Sequence, residues 1–289
     1  MGIPVKILIV GHGFVGKAVD YGFTHPDVEK TIIDPIYGSN VSDVIPHMYD
    51  AAFVCVPTPM RSDGQIDSRI IEDVVRRLHG CPLIVIKSTA TPDVVGQWSD
   101  RDQIVYNPEF LTEKSANEQF VEPEFHIFGG KYNYTKELQT LYEKYSLCDH
   151  CPTYHMSIKE ASFVKYTINS FLAMKVTFFN QLYDAVGDTD ANFHTIIKAV
   201  AADKRIGSSH TKVPGFDGKQ GYGGACFPKD TSALTNYSKR FTLIEECVRI
   251  NNEYRNQYEL DEREKQQNVN YGQTQKELED QDDGSPSSI

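Results

Sequence analysis

The sequence predicts an α/β protein with a doubly wound, mostly parallel sheet over residues 1–152 and a mostly helical domain over 153–260. Three observations predict it. Up to about Cys151, short apolar runs alternate with glycine or proline turns and helical stretches, and runs apolar at every position are what strands buried on both faces look like. A glycine-rich turn follows the first run directly. Farther on, Ser157 to Val186 runs without Pro or Gly, with apolar residues at Ile158, Ala161, Val164, Ile168, Phe171, Leu172, Phe179 and Leu182. That is helical spacing over a long span.

The strand candidates, in order, are VKILIV from Val5, TIID ending at Asp34, AAFVCV from Ala51, PLIVIKS from Pro82, IVYN from Ile104 and HIFGG from His126. In such sheets ligands sit beyond the carboxyl ends of the strands, so the residues just after each run are the candidates for function. The helical domain continues to about Glu259, interrupted by the glycine-rich loop Pro214 to Gly224. From Asp261 to Ile289 the chain has eight acidic and three basic residues and very few apolar ones. The expectation for 261–289 is a disordered acidic tail, because so little apolar surface cannot offset the entropy of ordering it.

Composition narrows the function classes. With 289 residues and 40% hydrophobic content, the chain has material for one or two cores, and its length favours two domains. A formal net charge of -11 with no basic run argues against nucleic-acid binding, which draws on clustered Lys and Arg. The amino-terminal apolar stretch turns glycine-rich at once, unlike a signal peptide, and nothing approaches the roughly 18 apolar residues of a membrane span. The expectation is a soluble, cytoplasmic protein that binds no membrane. Its six cysteines are scattered in a chain too large to need disulfides, so reduced thiols are expected. Cys148, His150, Cys151 and His155 invite a zinc reading, but one C-x-x-C with nearby histidines does not supply four ligands in suitable geometry. Nor does it follow a strand and open a helix, as redox-active pairs do. No metal is expected.

Gly11, Gly13 and Gly16 form G-x-G-x-x-G directly after VKILIV, and Phe14 and Val15 lie where a helix opens. The first glycine permits a tight turn, the second lets backbone approach a pyrophosphate, and the third allows close helix packing. Asp34, at the end of the next strand, is placed to take ribose hydroxyls and repel a 2'-phosphate, so NAD is favoured over NADP and the sheet is of Rossmann type. Two later strand ends, CVPTP and KSTATP, put Pro57, Thr58, Ser88 and Thr89 where a cofactor would lie.

The stretches GHGFVG, CVPTP, KSTATP, NPEFLTEKSA, KYTINSFLAMKVTFFNQL, DKRIG and GYGGACFPKD, in this order, resemble the UDP-glucose and GDP-mannose dehydrogenase family over roughly Val5 to Asn252. The resemblance implies double oxidation of a primary alcohol on a nucleotide sugar, with two NAD consumed, and it implies a Cys226 nucleophile. Independently of the resemblance, Cys226 precedes PKDTSAL, where Pro228 suits a first helical turn, so its thiol should lie near a helix amino end that favours the thiolate. Lys165 and Asn169, four apart on the long helix, share one face. By resemblance they stabilise negative charge on the substrate oxygen, while Asp230 orders Lys165 or a catalytic water. Glu109 corresponds to the residue handling the hydrolytic water, which Thr89 would hold. Phe110, Leu111, Glu113, Arg205, Tyr222 and Gly223 match substrate-contacting positions. The family also implies a homodimer through the long helix, and a last, nucleotide-sugar-gripping domain that this chain is expected to lack. The rival readings are a single-oxidation hydroxyacid dehydrogenase of the 6-phosphogluconate type, which needs no thiol, and a non-catalytic NAD-binding remnant.

Overall fold

The computed structural model describes residues 3–112 and 115–272. The chain forms two compact units, the first of residues up to 58 with 66–167, the second of residues 59–65 with 168 onward.

The first unit contains β1 (Val5–Val10), α1 (Phe14–Gly22), β2 (Val28–Ile33), β3 (Ala51–Val54), α2 (Arg69–Arg77), β4 (Leu83–Ile86), α3 (Pro92–Gly96), β5 (Ile104–Tyr106), α4 (Ala116–Val121), β6 (His126–Gly129), α5 (Tyr132–Tyr145), β7 (Thr153–Met156) and the start of α6 (Ile158–Gly187). The sheet order is β2-β1-β3-β4-β5-β6-β7. Neighbours are parallel except β5 and β6, which meet antiparallel at Tyr106 and Gly129. The strands read as apolar at every position because both faces are covered. Ile7, Ile9, Phe53 and Val85 pack with Val19, Phe23, Phe120 and Tyr142, while the alternating Leu8, Ala52 and Ile84 are also fully buried. Between β2 and β3 the short connection is three 3-10 turns, Pro35–Tyr37, Val41–Asp43 and Pro46–Met48.

The sheet extends past the expected limit at residue 152, because β7 adds a parallel edge strand beside β6. Its sequence, TYHM, is only partly buried, so it lacks the apolar run that marks the inner strands. Helix α6 begins at a reciprocal cap: Ser157 N–H donates to Glu160 Oε2 at 2.7 Å and Glu160 N–H to Ser157 Oγ at 3.3 Å. This satisfies two amides that a helix start leaves open.

The second unit holds the rest of α6, then α7 (Phe193–Val200), α8 (Phe227–Tyr237), α9 (Thr242–Arg255) and α10 (Glu262–Gln266). Phe179, Val186, Phe193 and Val213 form one of its cores. The expectation of a disordered tail from Asp261 is corrected for 261–272. Asp261 caps α10, Glu264 is 0% and Tyr271 2% exposed, and the buried Arg255–Glu264 ion pair together with the buried Val269 and Tyr271 holds the segment. The remainder of that expectation, 273–289, lies outside the described residues. Among the described residues no helix is long and apolar enough to cross a membrane.

Candidate active site

In the first unit the glycine turn after β1 is built as the spacing requires. Gly11 has φ +89°, and a Cβ there would meet the Cys55 carbonyl oxygen at 2.6 Å; one on Gly16 would fall 2.0 Å from the Gly11 oxygen. A Cβ on Gly13, by contrast, meets nothing within 4 Å, so the backbone that caps α1 faces open space beside the helix amides, as a pyrophosphate requires. Phe14 and Val15, half-buried, begin that helix. Asp34 is drawn onto the same turn: its Oδ2 accepts from His12 N–H at 2.6 Å and its Oδ1 from Ile36 N–H at 2.9 Å.

The loops after β3 and β4 are stitched to each other. Thr58 Oγ1 donates to the Thr89 carbonyl at 2.9 Å, and Ser88 Oγ to the Val56 carbonyl at 2.6 Å. These hydroxyls hold the strand ends in register, leaving only their acceptor lone pairs for a ligand. Pro57 is exposed beside them.

Beyond β5, Glu109 and Lys165 meet inside the unit, 6% and 2% exposed. Lys165 Nζ donates to the Glu109 carbonyl at 2.5 Å and lies 3.2 Å from its Oε1, with the Phe110 ring centroid 5.2 Å away. Glu109 Oε2 accepts from Leu111 N–H at 2.7 Å. Expected as a handler of water, Glu109 is thus also the counter-ion of Lys165. Glu113 lies outside the described residues.

Sequence reasoning passed over Lys87 and Asn107. Lys87 donates to Asn107 Oδ1 at 3.0 Å, and Tyr142 donates to the same oxygen at 2.9 Å. Burial pulls the Lys87 ammonium down to about 8, against the opposing influence of Cys55 and Glu109. Lys87, Asn107, Glu109 and Phe110 line one cavity of about 300 Å³. A signal was present, since a lysine closing an otherwise apolar run is out of place in a strand covered on both faces.

In the second unit Cys226 is the half-buried residue that caps α8, and its carbonyl accepts the Asp230 N–H at 2.9 Å, the first bond of that helix. Pro228 falls in the first turn, where its missing N–H costs nothing. Asp230 is 0% exposed and accepts from Asn169 Nδ2 at 2.6 Å and from Lys229. Asp230 thus holds both the Asn169 amide and the Lys229 ammonium. Asn169 follows Lys165 by one turn on α6, so the two leave the same face of that helix.

The remaining expected substrate contacts have these surroundings. Tyr222 is 3% exposed, its hydroxyl 3.3 Å from Thr231 Oγ1 and its N–H donating to Asn251 Oδ1 at 2.6 Å. Gly223 is pressed against the Arg255 guanidinium, which a Cβ would meet at 2.2 Å. The Arg205 side chain is 89% exposed and paired with Asp203. The Cys148–His155 segment turns to local partners: Cys148 Sγ donates to the Phe120 carbonyl at 2.9 Å, and the His155 ring bridges Thr135 and Gln139. Among the described residues no group of three or more His, Cys, Asp or Glu is arranged to hold a metal.

Two family models match, together covering most of the chain. Residues 38–146 match the NAD binding domain, and residues 159–253 the central domain, of the UDP-glucose/GDP-mannose dehydrogenase family. The UDP-glucose 6-dehydrogenase of Rhizobium meliloti strain 1021 is 31% identical over 70% of this chain and 50% of its own length. That of Bacillus subtilis strain 168 is 31% identical over 70% of this chain and 48% of its own. The chain thus spans about half the length of these curated relatives. A solved UDP-glucose dehydrogenase from the hyperthermophilic archaeon Pyrobaculum islandicum superposes with a TM-score of 0.73 at 26% identity, covering 86% of this chain and 68% of that one.

Proposed function

Because the chain belongs to the UDP-glucose/GDP-mannose dehydrogenase family, we propose that it oxidises the primary alcohol of a nucleotide sugar to the carboxylate, with two NAD as acceptors and Cys226 as nucleophile. The observation that carries this reading is Cys226 at the head of α8, one turn before an Asp230 wholly buried and bonded to Asn169 and Lys229.

The open backbone at Gly13 and the carboxylate of Asp34 fit a dinucleotide, whose contribution when bound is to accept one hydride in each oxidation. The chain's own residues do the rest. Lys165 and Asn169 stabilise negative charge on the alcohol oxygen as its proton leaves and again on the aldehyde oxygen. The Cys226 thiolate bonds to the aldehyde carbon, the oxygen gains a proton, and the thiohemiacetal loses that hydroxyl proton to solvent as it gives up the second hydride, leaving a thioester. Water then adds to the thioester carbon, Glu109 takes its proton, and the carbon–sulfur bond breaks to return the Cys226 thiolate and release the acid. A partner is part of the proposal: Phe171 and Phe178 on α6 are 58% and 60% exposed, an apolar face suited to the same helix of a second copy. Phe171→Asp should then give monomers by light scattering, while a wild type already monomeric would rule the dimer out.

The reaction is tested by incubating the protein with NAD and UDP-glucose and counting NADH per sugar consumed. Two per sugar is expected, and Cys226→Ser should lower acid formation roughly a thousandfold. One NADH per sugar, or a serine variant as active as the wild type, would refute the thiol mechanism.

A further inference from the structure

The loop that delivers Cys226 is clasped by a buried ion-pair cluster that the catalytic reading does not use. Arg255, at the end of α9, is 1% exposed; its Nη1 donates to Asp217 Oδ2 and its Nη2 to Glu264 Oε1, both at 2.7 Å. Glu264, on α10, is 0% exposed. Besides Arg255, its Oε1 accepts from the Tyr271 hydroxyl at 2.7 Å and from Gly224 N–H at 3.1 Å, and its Oε2 from Asp261 N–H at 2.9 Å. Gly223 lies directly on the pair, since a Cβ there would fall 2.6 Å from Glu264 Oε1 and 2.2 Å from Arg255 Nη2. Upstream, Gly221 has φ +75° and touches Asn251, whose amide brackets Tyr222 from both sides: Oδ1 accepts from Tyr222 N–H at 2.6 Å and Nδ2 donates to its carbonyl at 3.0 Å.

A glycine run has no side chains to fix its path, so its conformation must be imposed from outside. Here α9 and α10 help to impose it, and the Gly224 amide that Glu264 takes is two residues before Cys226. We propose that Glu264 is a positioning residue for Cys226: it locks the Gly223–Gly224 backbone so that the thiol sits at the amino end of α8. The inference rests on the reading of Cys226 as nucleophile for its catalytic consequence, but the clasp itself is tested without catalysis.

The experiment measures, on the full chain, the rate of alkylation of Cys226 by iodoacetamide, resolved from the other cysteines by peptide mass spectrometry, together with kcat, KM and NAD affinity. Two variants are compared with the wild type. Glu264→Gln removes the charge and keeps the size, whereas Tyr271→Phe removes one donor and keeps the ring. Cys226 alkylation should slow roughly tenfold in Glu264→Gln, because the thiol loses the helix end that favours its reactive anion. Tyr271→Phe should slow it about threefold. In both, kcat should fall with alkylation while NAD affinity and KM stay near the wild type, a split that general loosening of the fold would not give. If Glu264→Gln fails to fold, Tyr271→Phe decides alone. Alkylation within about twofold of the wild type in the folded variants would overturn the proposal. A catalytically silent wild type whose alkylation still responds to the clasp would indict the reaction assignment and leave the positioning role standing.

Discussion

In the sheet-bearing unit, Lys87 and Lys165 are 4% and 2% exposed, and Glu109 is the carboxylate whose charge acts on Lys87 and pairs with Lys165. In the helical unit, Arg255 is 1% exposed and lies between two carboxylates, Asp217 and Glu264. The consequences are opposite. Burial pulls Lys87 down to about 8. Burial also works against the Arg255 charge, but Tyr271, Asp217 and Glu264 outweigh it and hold its pKa above the ordinary value. Arg255, set between two carboxylates, keeps its charge; Lys87, opposed by burial, holds its proton less tightly than usual. The difference separates buried charge that its neighbours support from buried charge that its surroundings oppose.

The largest effect should come from unbalancing the saturated pair. Arg255→Met leaves the Glu264 carboxylate buried without its cation and should cost about 3–5 kcal/mol, read from urea unfolding. Adding Glu264→Gln should recover most of the loss, because no uncompensated charge is then left buried. The wild type should also be the more acid-sensitive protein. Burial alone would raise Glu264, but Asp261, Tyr271, Gly224 and Arg255 together hold it below its ordinary 4.5. A carboxyl depressed in this way stabilises the fold above its unfolded pKa and loses that contribution as pH falls through the folded one. Stability below about pH 4.5 should therefore fall more steeply in the wild type than in the double variant. If the two curves run parallel, Glu264 is not charged in the fold and the contrast with Lys87 fails.

How far the sequence spoke follows the same division. The sheet was legible because inner strands covered on both faces announce themselves as apolar runs, and the glycine turn because Gly11 and Gly16 have no room for a side chain. β7 was not, because an edge strand with mixed burial carries no such run. The helix start at Cys226 was legible from the proline in the first turn, whereas Asp230 came from the family resemblance alone. The clasp was invisible: Arg255, Glu264 and Tyr271 read individually as ordinary surface residues, and only folding brings them onto one carboxylate. The acidic composition after Asp261 hides this, since a buried ion pair with its hydrogen bonds helps to order a short segment that has little apolar area of its own.

A smaller effect, of opposite sign, is expected at Lys87. Its folded pKa of about 8 lies below the ordinary 10.5, so the unfolded chain binds the proton more tightly and stability rises with pH between those values. The gap corresponds to about 3 kcal/mol of burial cost carried at pH 7. Lys87→Met removes the charge, and Asn107 Oδ1 keeps the Tyr142 hydroxyl as donor, so no polar atom is stranded. The variant should be the more stable protein at pH 7, by up to about 3 kcal/mol, with the difference closing near pH 10. Less stability at pH 7 would mean that the ammonium is favourably paired and that the two units treat buried charge alike.

The smallest effect tests the comparison where no charge is involved. Thr58 donates to the Thr89 carbonyl at 2.9 Å and is 4% exposed, so Thr58→Val keeps the shape and strands one buried acceptor. The cost should be about 1 kcal/mol, less than either charge change because neither partner bears a full charge to desolvate. Thr58 ties the β3 loop to the β4 loop, where a dinucleotide would lie, so the variant should weaken NAD binding by a few-fold at unchanged Cys226 alkylation. A loss of several kcal/mol would show that neutral hydroxyl clamps, rather than the balance of buried ions, dominate the sheet-bearing unit.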